Sequence, residues 1–316
     1  MSPPADDERR GRVLILGLPY FGKKLAEEMG GLGWRAKYLA HPGRKAGGWA
    51  TVAKEAARAD IVYLIGSRID RGSPQDRLLR LRRKPVVIHW VGTDVQIAID
   101  EHRRDNVSLR VAERPVHWCD APWLVQELRT IGLISQYVPL PIPIESAPPP
   151  PLPEQFGVFL YYPVDPFDRE VFDIETMLRL PEAFPTVRFT LAPSSEEMLP
   201  GPLPPNLEAV PWIDDMDAEY RRTTAIVRLT SHDGQSFMAA EALSRGRYVI
   251  WTHPMPGCIR AEGFEQVAKA LRGLVDRHEA GTLKPNAHGR RQVIERFGKG
   301  RPLKELDERL RGVLGG

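Results

Sequence analysis

Eight of the residues from Pro139 to Pro153 are proline, four of them consecutive at 148–151. Proline has no backbone N–H and fixes its own φ, so neither a helix nor a strand ladder continues through such a stretch. The chain is thereby divided into two parts, each of which must bury a core of its own. Its 316 residues, 42% of them hydrophobic, suffice for two domains of ordinary size.

Both parts alternate short apolar runs with amphipathic segments, the pattern of parallel strands joined by crossover helices. In the first part, strands are expected over Val13–Leu18, Arg35–Ala40, Asp60–Ile65, Pro85–Trp90, Arg114–His117 and Gln136–Leu140. A helix begins at Asp120-Ala-Pro-Trp with an acidic cap and ends near Gly132. After the prolines the pattern restarts with strands Phe156–Tyr162, Thr186–Ala192, Leu207–Val210, Ala225–Thr230 and Tyr248–Thr252. Helices are expected near 169–180 and 215–223 and after Asp233. The fold class expected is α/β with two doubly wound, Rossmann-like domains. Residues 1–144 form the first, 145–155 the linker and 156–302 the second. The amphipathic segment Leu303–Leu314 is free to pack elsewhere.

Composition excludes several classes of function. A net charge of +3 from 44 basic and 41 acidic residues is nearly balanced, which argues against a nucleic-acid protein. Cys119 and Cys258 are the only cysteines and lie far apart, so the chain reads as reduced and intracellular. The charged N-terminus has no apolar signal region, and no run reaches the roughly 18 residues of a membrane span. A cytoplasmic protein without a transmembrane segment is expected. The basic run Arg77–Lys84 is read as a solvated helix end, with peripheral contact to anionic lipid as the alternative.

The chemistry concentrates in Arg228-Leu-Thr-Ser-His-Asp-Gly-Gln-Ser-Phe-Met-Ala-Ala-Glu-Ala-Leu-Ser-Arg-Gly246. An apolar strand runs into a polar turn, Gln235 or Ser236 caps a helix, and Gly246 stops it. Free N–H groups and the dipole at such a helix start attract phosphate oxygens. Asp233 in the turn and Glu241 within the helix can accept hydrogen bonds from the hydroxyls of a sugar and a ribose.

This acid, glycine and seven-residue gap, ending in Glu-Ala-Leu-x-x-Gly, resembles the E-x7-E signature of GT4-like retaining glycosyltransferases, with Asp233 replacing the first glutamate. Leu207–Tyr220 and Arg247–Trp251 resemble the flanking elements of that family. The resemblance implies a GT-B architecture, with ligand held between two Rossmann-like halves and the last helix packing back on the first domain. It also implies that Asp233 contacts the donor sugar, that Gly234, Gln235 and Ser236 present amides to sugar and phosphate, and that Glu241 holds the ribose.

In the first domain, Ile88-His-Trp-Val-Gly-Thr-Asp94 follows a strand and is expected to emerge at its carboxyl end. There His89 can donate to a sugar hydroxyl or leave its backbone carbonyl near the anomeric carbon, and Asp94 can orient or deprotonate an acceptor hydroxyl; otherwise His89 is a hydrogen-bonded strand-end residue and Asp94 a helix cap. Gly17-Leu-Pro-Tyr-Phe-Gly22 follows the first strand, where Gly17 and Tyr20 suit a loop closing over a sugar nucleotide. It lacks the lysine and serine of a P-loop. Asp215 and Asp217 spell D-x-D, but at a helix start they are read as capping residues, and no metal site or other cofactor is expected.

One departure from the family stands out. The arginine and lysine that neutralise the departing diphosphate are missing, and the chain reads Tyr-Tyr-Pro-Val-Asp-Pro-Phe-Asp-Arg169 at that point. Arg169, Arg188 or Arg228 are the candidate replacements. The activity expected is metal-independent, hexosyltransferase-like transfer from a nucleotide-diphosphate sugar to a hydroxyl-bearing acceptor. The alternative is a non-catalytic nucleotide-sugar-binding protein or partner subunit. An epimerase or oxidoreductase suits the fold but lacks the dinucleotide fingerprint.

Overall fold

A computed structural model of the chain describes residues 10–43, 46–79, 84–142, 144, 148–163, 170–199, 201–298 and 300–315. Arg169 and the centre of the basic run, 80–83, lie outside the described residues. The chain separates into two compact units, one running to Pro141 and regaining the C-terminal segment, the other Ile142–Gly298.

The first unit is built on six parallel strands: β1 (Arg12–Gly17), β2 (Arg35–Ala40), β3 (Ile61–Ile65), β4 (Val86–Trp90), β5 (Val116–Cys119) and β6 (Gln136–Tyr137), in the order β2-β1-β3-β4-β5-β6. Every residue of β3 and β4 is buried, because both central strands are covered on both faces. Alternate residues then supply two cores. Leu14, Val62, Leu64, Ile88 and Trp90 face helices α2 (Ala46–Arg58), α4 (Thr93–Arg103) and α6 (Pro122–Thr130). Val13, Ile15, Tyr63, Val87 and Trp118 face α1 (Pro19–Gly31) and the C-terminal helix. The short helices α3 (Pro74–Leu79) and α5 (Leu109–Ala112) complete the unit. The expected acidic cap of α6 is corrected: Ala121 holds the N-cap position with no side-chain bond, and Asp120 is buried instead.

The second unit repeats the plan with β7 (Gly157–Tyr161), β8 (Arg188–Ala192), β9 (Leu207–Ala209), β10 (Ala225–Arg228), β11 (Tyr248–Trp251) and β12 (Ile259–Arg260), ordered β12-β11-β10-β7-β8-β9. Its helices are α7 (Ile174–Ala183), α8 (Met216–Arg222), α9 (Phe237–Ser244), α10 (Gly263–Glu279) and α11 (Ala287–Phe297). The Asp173 carboxylate caps α7 by accepting from the Thr176 amide, and Asp215 caps α8 by accepting from Ala218. The edge strand β12 has no counterpart among the expected strands, since two residues are too few to show a period.

The proline segment is not a free tether along its described length. Arg247 donates to the carbonyl of Pro151, the His278 ring contacts that of Pro153, and Gly246 lies against Pro149. The final helix α12 (Gly300–Gly315) places Leu303, Leu306 and Leu310 in the first unit's second core. The two sheets with flanking helices have the doubly wound plan of a GT-B protein. Among the described residues no helix is long and apolar enough to cross a membrane.

Candidate functional site

In an open parallel sheet, ligands bind outside the carboxyl ends of the strands, where the strand order reverses. Each unit has one such point. In the second unit the chain leaves β7 toward β8 and β9 on one side, while β10, β11 and β12 lie on the other. The crevice therefore opens between the ends of β7 and β10, at Tyr161 and Arg228.

Arg228 is the last residue of β10, and its Nε donates to Asp233 Oδ2 at 2.6 Å. Both side chains are largely enclosed, at 13% and 14% exposed. The guanidinium lies 5.4 Å from the ring centre of Tyr161 and 5.1 Å from that of Phe172, so two aromatic faces and one carboxylate fix its plane. Phe172 reaches this point because its backbone bridges Thr230 just beyond the strand. Thr230 Oγ1 donates to Asp233 at 3.4 Å and accepts from Trp251 Nε1 at 3.1 Å. The other Asp233 oxygen accepts from the Gly234 amide at 3.0 Å.

Gln235 and Ser236 are buried, and Ser236 caps α9 by accepting from the Ala239 amide at 3.2 Å. Glu241 lies farther along the same helix, half-buried, and accepts from the Tyr220 hydroxyl at 3.2 Å. Asp217 pairs with Arg245, so Asp215 and Asp217 hold separate partners. Among the described residues no group of three His, Cys, Asp or Glu side chains could hold a metal ion.

Of the three candidate cations, Arg228 stands at the carboxyl edge. Arg188 opens β8 at the opposite, amino edge and donates to Thr190 Oγ1 and the Arg222 carbonyl. Arg169 falls outside the described residues. Tyr161, Phe172, Thr230 and Tyr220 carry no motif that singles them out in the sequence.

In the first unit the order reverses between β1 and β3, at Gly17 and the Gly66-Ser67 turn. Gly17 has φ +129°, and a Cβ there would lie 1.9 Å from the Ile65 carbonyl oxygen, so only glycine lets the strands close at this point. The loop is shorter than expected: α1 begins at Pro19, which places Tyr20 in its first turn, exposed and with Lys24 over its ring.

Asp94 lies at the start of α4, half-buried. Its Oδ1 accepts from the Val91 and Val95 amides at 3.0 and 3.1 Å, and its Oδ2 from the Ser67 amide at 3.3 Å. Burial outweighs these three donors and raises its pKa to about 7. His89 does not emerge at the strand end. It is 0% exposed within β4, on the face shared with Tyr63 and Trp118. Its Nε2 meets the Val138 carbonyl at 2.8 Å and its Nδ1 meets the Tyr63 hydroxyl. Burial pushes its pKa down to about 3, so the ring is neutral, with Nε2–H donating and Nδ1 accepting. The expectation that His89 meets a sugar is thereby corrected to a core role. Residue parity turns it toward the face covered by α1 and α12.

No protein-family model matches this chain, and no curated protein matches it significantly by sequence. Solved structures do match. A sucrose-phosphate synthase from Thermosynechococcus elongatus superposes with a TM-score of 0.72 at 13% identity, over 97% of this chain and 100% of that one. The glycosyltransferase SnogD from Streptomyces nogalater superposes with a TM-score of 0.52 at 17% identity, over 96% and 100%. TarM matches with a TM-score of 0.59 at 11% identity, and this chain spans 55% of that one. The fold is thus one that GT-B glycosyltransferases share.

Proposed function

We propose that the protein is a retaining glycosyltransferase that moves a sugar from a nucleotide-diphosphate donor to an acceptor hydroxyl. The observation that carries this is the grouping at the second unit's switch point: Arg228 at the end of β10, Asp233 and Gly234 in the turn, and the Ser236-capped start of α9. A cation beside a helix N-terminus suits a diphosphate. Arg228 is assigned to the diphosphate, the amides of Gly234, Gln235 and Ser236 to phosphate or sugar, and Glu241 to the ribose.

Arg228 would answer the absence of the family's arginine and lysine, because charge on a leaving diphosphate is neutralised by any well-placed cation. Asp94 is assigned to orienting the acceptor hydroxyl: a carboxyl with a pKa of about 7 can accept or donate a hydrogen bond near neutrality. Retention follows if a departing phosphate oxygen takes the acceptor proton on the same face. That route needs neither a protein nucleophile nor a resident metal.

The test is a calorimetric screen of the protein against ADP, GDP, UDP and their common sugar conjugates, followed by assays of donor hydrolysis and transfer. Binding with sugar release supports the transferase. Binding without turnover, with acceptors present, leaves the non-catalytic binding protein, and no binding would remove the donor site altogether.

A further inference from the structure

We infer that Asp233 acts as a positioning residue that aims the Arg228 guanidinium at the donor diphosphate, in place of the sugar contact that its sequence position implies. The inference rests on the nucleotide-sugar reading and adds a role and a geometry to it.

Three observations carry it. First, Asp233 is already engaged at both oxygens, by Arg228 Nε and Thr230 Oγ1 on one side and by the Gly234 amide on the other. Aspartate is one methylene shorter than glutamate, and here that reach ends on the arginine. Second, the carboxylate takes only Nε. The terminal nitrogens of Arg228 make no hydrogen bond to any described residue and are not among the buried unpaired atoms, so they keep some contact with solvent and no described group occupies the two-pronged edge of the fork. That edge binds phosphate oxygens in a bidentate manner. Third, the plane of the fork is held by Tyr161 and Phe172, and Tyr161 closes the strand across the switch point. A guanidinium whose plane is held by a carboxylate and two rings loses little further freedom on binding an anion.

Recognition of the sugar then falls to other groups, and removal of Asp233 acts on phosphate through Arg228. The experiment is a double-mutant cycle. Calorimetric affinities for ADP, GDP and UDP, and for AMP, GMP and UMP, are measured on the unaltered protein, Arg228→Ala, Asp233→Ala and the double variant. Arg228→Lys and thermal melts check that the fold is retained. For whichever base binds, Arg228→Ala is expected to weaken the diphosphate by about 30-fold and the monophosphate by less than about threefold. Asp233→Ala is expected to weaken the diphosphate by about tenfold, with no added loss in the Arg228→Ala background. Arg228→Lys is expected to recover only part of the affinity, because an ammonium has no fork.

Two results would overturn the inference while sparing the nucleotide reading. One is tighter diphosphate binding by Asp233→Ala, which would make the carboxylate a competitor of phosphate. The other is additive losses in the double variant. If the unaltered protein binds none of the six nucleotides, the nucleotide reading falls and the inference with it.

Discussion

Trp34 and Asp307 are 273 positions apart in sequence, yet the indole Nε1 donates to the Asp307 carboxylate at 2.7 Å inside the first unit's core. The same carboxylate faces Arg10 at 2.7 Å and Arg311 at 3.4 Å. It therefore ties the last helix to the loop before β2, and its removal leaves a buried indole N–H unpaired. Asp307→Ala is expected to cost about 3 kcal/mol of stability. Urea unfolding measures this, and a loss below about 0.5 kcal/mol would show that the helix is held by Leu303, Leu306 and Leu310 alone.

Gly17 and Gly30 should respond oppositely to the same substitution. In Gly17→Ala the new Cβ would meet the Ile65 carbonyl oxygen at 1.9 Å with φ in the left-handed half of the map, and relief requires backbone movement costing about 3 kcal/mol or more. Gly30 lies within α1, and a methyl group added there would have no other atom within 4 Å, so Gly30→Ala should stabilise by about 0.5–1 kcal/mol. Paired thermal melts decide both.

Stability should rise with pH between about 4 and 6.5. Burial lowers the pKa of His89 to about 3 and of His117 to about 4, so both contribute stability that is present above pH 6.5 and is lost on acidification. Asp94, raised to about 7 by burial, works in the other direction: its contribution is present below about 3.8 and is lost as pH rises toward 7. Inside the window the unfolded chain takes up two protons and the folded chain one. The net slope is about 1.4 kcal/mol per pH unit. Asp94→Asn removes the opposing group and should about double the slope. Urea titrations at pH 4.5, 5.5 and 6.5 test this, and a flat profile would contradict the burial of the two histidines.

Ser236 and Glu241 should separate folding from binding. Ser236→Ala removes the acceptor of the Ala239 amide and should cost about 1 kcal/mol of stability. Glu241→Ala leaves the cap intact and should lower the affinity for a nucleoside diphosphate by about tenfold. Calorimetry beside chemical denaturation distinguishes the two, and an unchanged affinity in Glu241→Ala would remove it from the ribose.

The doubly wound plan was legible because buried parallel strands are continuous apolar runs, as in Ile-Val-Tyr-Leu-Ile at 61–65 and Val-Val-Ile-His-Trp at 86–90. The start of α9 was legible too, since a serine cap and a preceding turn are local features. The enclosure of His89 rests on something that local sequence does not carry. Alternation tells which residues share a face of a strand, but not which helices cover that face.

The choice among candidate arginines divides along the same line. The expected strands Thr186–Ala192 and Ala225–Thr230 hold both arginines in their interior; the structure starts one strand at Arg188 and ends the other at Arg228, which in a parallel sheet sends them to opposite edges. The company Arg228 keeps is not written in the order of residues. Tyr161 and Phe172 come from segments 67 and 56 positions earlier in the chain, brought to it because β10 pairs with β7 and because residue 172 bridges Thr230. Neighbouring residues suffice to specify all but one of the strands, the turn and the capped helix, because these are local features. Tertiary structure alone decided that one guanidinium would be held by a carboxylate and two aromatic rings, because that depends on which strands lie side by side.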